Sequence, residues 1–110
     1  MLYRIFIFAI VLMSCGGNSS DHSTAAAVRT SDGKLQPDGM AVFRQRCVTC
    51  HGADGTLGLN GAKDLTQSAL TLEERVNIIT NGKKLMTPFG TVLTPEEIQA
   101  VAEYTLTLKK

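Results

Sequence analysis

The chain has 110 residues, the size of one domain at most. Eleven Lys and Arg stand against ten Asp and Glu, so no basic excess marks a nucleic-acid binder. Charged residues make up 19% of the chain, an ordinary share that argues against general disorder. The first fourteen residues form a unit of their own. Arg4 gives a short start one positive charge, and the apolar run 5–13 follows it. A membrane-spanning helix needs about 20 apolar residues, so this run is too short for one. A basic start, a short apolar core and a small residue at its end describe an export signal.

The segment Leu12-Met13-Ser14-Cys15 resembles a bacterial lipobox. The resemblance implies that Cys15 receives a diacylglycerol and becomes the N-terminus after cleavage. Residues 1–14 are then a lipoprotein signal peptide, and the mature chain is exported and anchored to a bacterial membrane, facing the periplasm. The alternatives are an ordinary secretory signal or an uncleaved anchor. Residues 15–36 begin Gly16-Gly17-Asn18-Ser19-Ser20 after the cysteine and carry few large apolar side chains, so they are expected to be a flexible linker. As a coil, its 21 residues from 16 to 36 would span about 25 Å root-mean-square. His22 falls here, where a solvated histidine is the simplest reading.

From residue 37 onward, apolar spacing turns helical. Pro37-Asp38-Gly39 opens a stretch with Met40, Phe43 and Cys47 at helical intervals, which predicts a short helix ending at Cys47. Residues 52–65 hold four glycines and no clear period, the composition of a loop. Thr71 and Glu74 form a capping-box pair at the start of a second helix, which runs through Val76, Ile78 and Ile79 and stops at Asn81-Gly82. Thr94-Pro95-Glu96-Glu97 starts a third, with Ile98, Val101, Ala102, Thr105 and Leu108 on one face. No stretch alternates as a strand does. Residues 37–110 are therefore expected to be an all-α domain with three main helices. A unit of this size rarely builds enough core unaided and calls for a staple.

Cys47-Val48-Thr49-Cys50-His51 has the spacing C-x-x-C-H, the attachment motif of c-type haem. Two thiols one helical turn apart reach the two vinyl groups of one porphyrin, and the next residue turns an imidazole to the iron. Other chemistries fit less well. A thioredoxin-like pair would sit beside a βαβ pattern. A zinc site needs a fourth ligand, with only His22 or a carboxylate to supply it. A plain disulfide would leave His51 unexplained. Met86, in a loop with Gly82, Pro88 and Gly90, is the candidate second axial ligand; Met40 lies seven residues before Cys47, about two turns along the same helix.

Residues 37–110 as a whole resemble the class I cytochromes c in their short bacterial form. The residues that carry the likeness are Gly39 and Phe43, the run Cys47-x-x-Cys50-His51-Gly52, the loop Met86-Thr87-Pro88-Phe89-Gly90, and Leu93-Thr94-Pro95-Glu96-Glu97-Ile98 leading to Tyr104. The resemblance implies a small cytochrome c fold around one covalently bound haem c, with Gly39 and Phe43 packed against Tyr104. It also implies thioethers at Cys47 and Cys50 and iron ligation by His51 and Met86. Two departures stand out. Many members have Gly-Pro where this chain has Gly61-Ala62, and the family often has proline directly after the methionine, where Thr87 stands here.

His/Met ligation fills both axial positions, so the expected function is a membrane-tethered one-electron carrier in a respiratory or similar chain, and not an enzyme. The alternative is a haem enzyme or gas or redox sensor with a labile Met86. Expected partners are redox proteins, a donor and an acceptor, which the Lys83-Lys84 pair would steer if they are acidic. No nucleic acid is expected, and the head domain is expected to be monomeric. Glu96 and Glu97 are accounted for by helix capping and the helix dipole.

Overall fold

A computed structural model describes residues 27–110. The lipobox segment, Cys15 and His22 lie outside the described residues. Four helices follow a small hairpin. Strands β1 (Ala27–Arg29) and β2 (Leu35–Pro37) pair antiparallel, with Ala27 opposite Pro37 and Arg29 opposite Leu35. The helices are α1 (Gly39–Arg46), α2 (Val48–His51), α3 (Leu72–Asn81) and α4 (Pro95–Thr107). Single 3₁₀ turns at Leu59–Gly61 and Leu65–Gln67 punctuate the connection from α2 to α3.

The three expected helices form where their caps place them. Asp38 accepts from the Met40 N–H and starts α1. Thr71 and Glu74 make a full capping box on α3, and Thr94 and Glu97 make another on α4, with Pro95 in the first turn. Each box satisfies two of the amide groups a helix start leaves open.

The hairpin corrects the linker reading. Residues 27–36 were expected as coil, yet they pair around a tight turn in which the Gly33 N–H donates to the Thr30 carbonyl and the Thr30 N–H to the Lys34 carbonyl. Asp32-Gly33 is a hairpin signal in the sequence itself. β2 also packs on α4, which gives the short strand a surface to rest on. Within residues 37–110 the fold is helical, as expected.

The core sits between α1, α3 and α4. Val42, Phe43, Ile79, Leu93, Ile98, Val101 and Ala102 are its buried apolar residues. α1 and α4 cross at Gly39, where a Cβ would stand 2.1 Å from the Ala100 carbonyl oxygen and 3.0 Å from the Tyr104 Cβ. Only glycine lets the two backbones come this close. One turn on, the Phe43 and Tyr104 rings meet at 5.3 Å between centroids, tilted by 54°. Such a pair contributes about 1 kcal/mol beyond its buried area.

Candidate haem site

The crossing of α1 and α4 fixes where α1 ends, and its end carries the chemistry. Cys47 is both the last cap of α1 and the residue before α2; its N–H closes on the Phe43 carbonyl at 2.8 Å. Cys50 and His51 lie on the single turn α2. Both thiols are free and half-buried. Burial, with Cys50 close by, pushes the Cys47 thiol from its ordinary value up to about 11. Burial thus favours the protonated form of that sulfur.

His51 is oriented by one bond. Its Nδ1 lies 3.1 Å from the Lys63 carbonyl oxygen, in the loop beyond the Leu59–Gly61 turn. With the proton on Nδ1 donated to that carbonyl, Nε2 keeps its lone pair for a metal. The acceptor is thus one residue past the Gly61-Ala62 pair that the sequence drew attention to. Ala62 itself holds φ −56°, a proline-like value, and its N–H closes on the Leu59 carbonyl at 3.0 Å. The hydrogen bond supplies the stiffness that proline's ring would otherwise give.

Met86 is positioned from both sides of its loop. The Met86 N–H donates to the Lys83 carbonyl at 3.0 Å, and the Lys83 N–H returns to the Met86 carbonyl at 3.3 Å. Lys84, at the tip, has φ +56°. Gly82 has φ +74°, and a Cβ there would come within 2.5 Å of the Met86 oxygen. Beyond the methionine, the Phe89 and Gly90 N–H groups donate to the Ile79 and Thr80 carbonyls, pinning the loop to the end of α3. The Met86 side chain is half-buried against the same core that Cys47 and Val48 flank. Met40, by contrast, is exposed on α1.

Exposed leucines flank these residues in the chain. Leu57 and Leu59, on the loop after His51, are 58% and 46% exposed, and Leu85, beside Met86, is 80% exposed. Among the described residues, no group of three or more His, Cys, Asp or Glu is arranged to hold a bare metal ion. Free thiols, a carbonyl-oriented imidazole, a thioether and bare leucines suit a flat apolar group with a metal at its centre.

A family profile described as cytochrome C oxidase, cbb3-type, subunit III matches residues 35–104. The chain belongs to this family of c-type cytochromes. The cytochrome c6 of Rippkaea orientalis (strain PCC 8801 / RF-1) is 31% identical over 112 residues, which covers 96% of this chain and 87% of that protein. That of Leptolyngbya boryana is 40% identical over 74 residues, covering 62% and 86%. Among solved structures, the KustC0563 c-type cytochrome superposes with a TM-score of 0.60 at 35% identity, over 66% of this chain and 99% of that one. Cytochrome c6C from Synechococcus sp. PCC 7002 gives 0.55 at 33% identity, over 63% and 90%.

As a c-type cytochrome the chain carries a covalently attached haem c. The residues present fit that group: the exposed leucines would supply apolar walls and the C-x-x-C-H segment would supply sulfur and nitrogen. One buried residue escaped the sequence reading. Arg75, on the inward face of α3, is 4% exposed, in a stripe otherwise made of Leu72, Val76 and Ile79. Its spacing, three residues after Leu72 and four before Ile79, was the available signal.

Proposed function

We propose that the protein is a one-electron carrier tethered to a bacterial membrane. Cys47 and Cys50 form the two thioethers to the haem vinyl groups. His51 Nε2 and the Met86 sulfur take the two axial positions of the iron. When bound, the haem supplies an Fe(III)/Fe(II) couple. Thioether ligation favours the ferrous state relative to a second histidine and raises the potential. With both axial positions filled from the chain, no position is open for a substrate, so the reading is a carrier and not an enzyme.

The observation that carries this reading is the His51–Lys63 hydrogen bond beside two free thiols, because it selects the nitrogen a metal would use. Lys83 and Lys84 are exposed next to Leu85 and would steer an acidic redox partner toward this face, an attraction that weakens with salt. The membrane reading rests on the lipobox at Cys15: export, lipidation and a head held near the bilayer, facing the periplasm.

Acid–organic extraction of protein matured in cells with a haem-attachment system tests the thioethers. Haem should stay with the polypeptide, and Cys47→Ala together with Cys50→Ala should release it. Haem that extracts from the wild-type chain contradicts the assignment.

A further inference from the structure

Arg75 is the one arginine of the described residues that is buried. Its Nε donates to the Leu70 carbonyl at 3.1 Å, one Nη to the Ser68 carbonyl at 3.1 Å and the other to Thr105 Oγ1 at 3.0 Å. All three acceptors are uncharged oxygens. Thr105 in turn donates to the Ala102 carbonyl at 2.7 Å, so the network ends within α4. The nearest carboxylates in sequence, Glu73 and Glu74, are exposed on the first turn of α3, and Glu74 spends its carboxylate on the Thr71 N–H. The guanidinium therefore keeps its charge inside the protein, satisfied as a donor but with no ion pair among the described residues.

A buried cation without an ion partner costs stability, and an apolar side chain in the same stripe would avoid that cost. Its charge does have a consequence for the site. Arg75 lies one turn before Ile79, whose carbonyl anchors the Met86 loop, and both side chains point inward from α3. A bound haem would accept one electron from a redox partner with no bond made or broken, and the positive charge held by the domain would fall by one. A fixed cation buried in the same small domain would favour that change, and solvent and salt screen it less than they screen a surface lysine.

We propose that Arg75 acts as a buried, fixed positive charge that raises the reduction potential of the haem, in addition to clamping Ser68, Leu70 and Thr105. It is a positioning and tuning residue; the inference rests on the one-electron carrier reading.

The test is equilibrium redox titration of the haem-loaded full chain, wild type against Arg75→Lys, Arg75→Gln and Arg75→Met. Arg75→Gln keeps hydrogen-bond donors while losing the charge, so it carries the test if Arg75→Met does not fold. Each variant is compared with the visible spectrum of the wild type retained. The neutral variants should titrate at lower potential than the wild type, Arg75→Lys should stay close to it, and the difference should persist at high salt. Neutral variants that titrate with the wild type overturn the proposal and leave Arg75 a structural clamp. A lysine variant as low as the neutral ones overturns it too. The carrier reading is judged separately, by whether the wild type itself shows the sulfur-to-iron absorption band.

Discussion

At His51, one hydrogen bond separates a ligand from a spectator. A Nδ1 proton donated to the Lys63 carbonyl fixes the plane of the ring and turns Nε2 toward a metal. The neighbouring Cys47 packs against the apolar core. Burial raises its pKa from 9.0 to about 11, so at pH 8 to 9 it holds almost no thiolate. In the haem-free chain, iodoacetamide should therefore alkylate Cys47 far more slowly than it does in the urea-unfolded chain, by mass spectrometry of the Cys47 peptide. Equal rates would show that Cys47 is not sheltered. The sign of the linkage follows as well. A thiol whose folded pKa is raised contributes stability below its unfolded value near 9, and loses it as pH climbs toward 11. The haem-free chain should accordingly weaken in alkali over that window, and Cys47→Ser should flatten the slope.

Among the elements, the helices repay scrutiny of their ends. Thr94→Ala removes the acceptor for the Glu97 N–H and should cost about 1 kcal/mol in denaturant unfolding of the haem-loaded protein. Gly39→Ala should cost more, about 3 kcal/mol, since the added methyl would collide with the Ala100 backbone and α1 would have to move. An alanine that leaves stability unchanged would place the α1–α4 crossing elsewhere. These elements were legible in the sequence because each carries local chemistry at its ends: Thr-x-x-Glu twice, proline in a first turn, Asn-Gly after a last one. As backbone elements, the turn at Cys50-His51 and the loop around Met86 were legible for the same reason. The hairpin was missed because three-residue strands have too few side chains to show alternation. The Asp32-Gly33 turn was its only local mark, and its support from α4 is a long-range contact. Lys63 in particular, one residue beyond Gly61-Ala62, could not be picked out as the carbonyl that meets His51, because a backbone acceptor leaves no trace in residue identity. Arg75 was missed because a charged side chain on an apolar face looks like a break in the stripe until Thr105 on α4 is seen to receive it.

For the molecule as a whole, the apolar core of seven buried residues is small for the helices it must join. Domains this size seldom hold together without a staple, and the exposed Leu57, Leu59 and Leu85 are what a haem would cover. The prosthetic group is then part of the core as well as of the chemistry. Thermal unfolding followed by far-UV circular dichroism should be cooperative for the haem-loaded protein and shift to much lower temperature for a Cys47→Ala/Cys50→Ala chain. Similar midpoints would mean that the helices suffice alone. The hairpin has a consequence at this scale too. With Ala27 opposite Pro37, the stretch between Cys15 and the folded head shortens to residues 16–26, at most about 40 Å when fully extended. Cys15→Ala should move the protein from the membrane to the soluble fraction without altering its visible spectrum.

The most direct test of the account is the visible spectrum of the haem-loaded full chain, oxidised and reduced, for wild type and Met86→Ala. His51 and Met86 ligation predicts a low-spin haem whose sulfur-to-iron band is present in the oxidised wild type and absent in the variant. A wild-type spectrum that is high-spin, or one that Met86→Ala leaves unchanged, would contradict the carrier and point to an iron with an open or differently filled position.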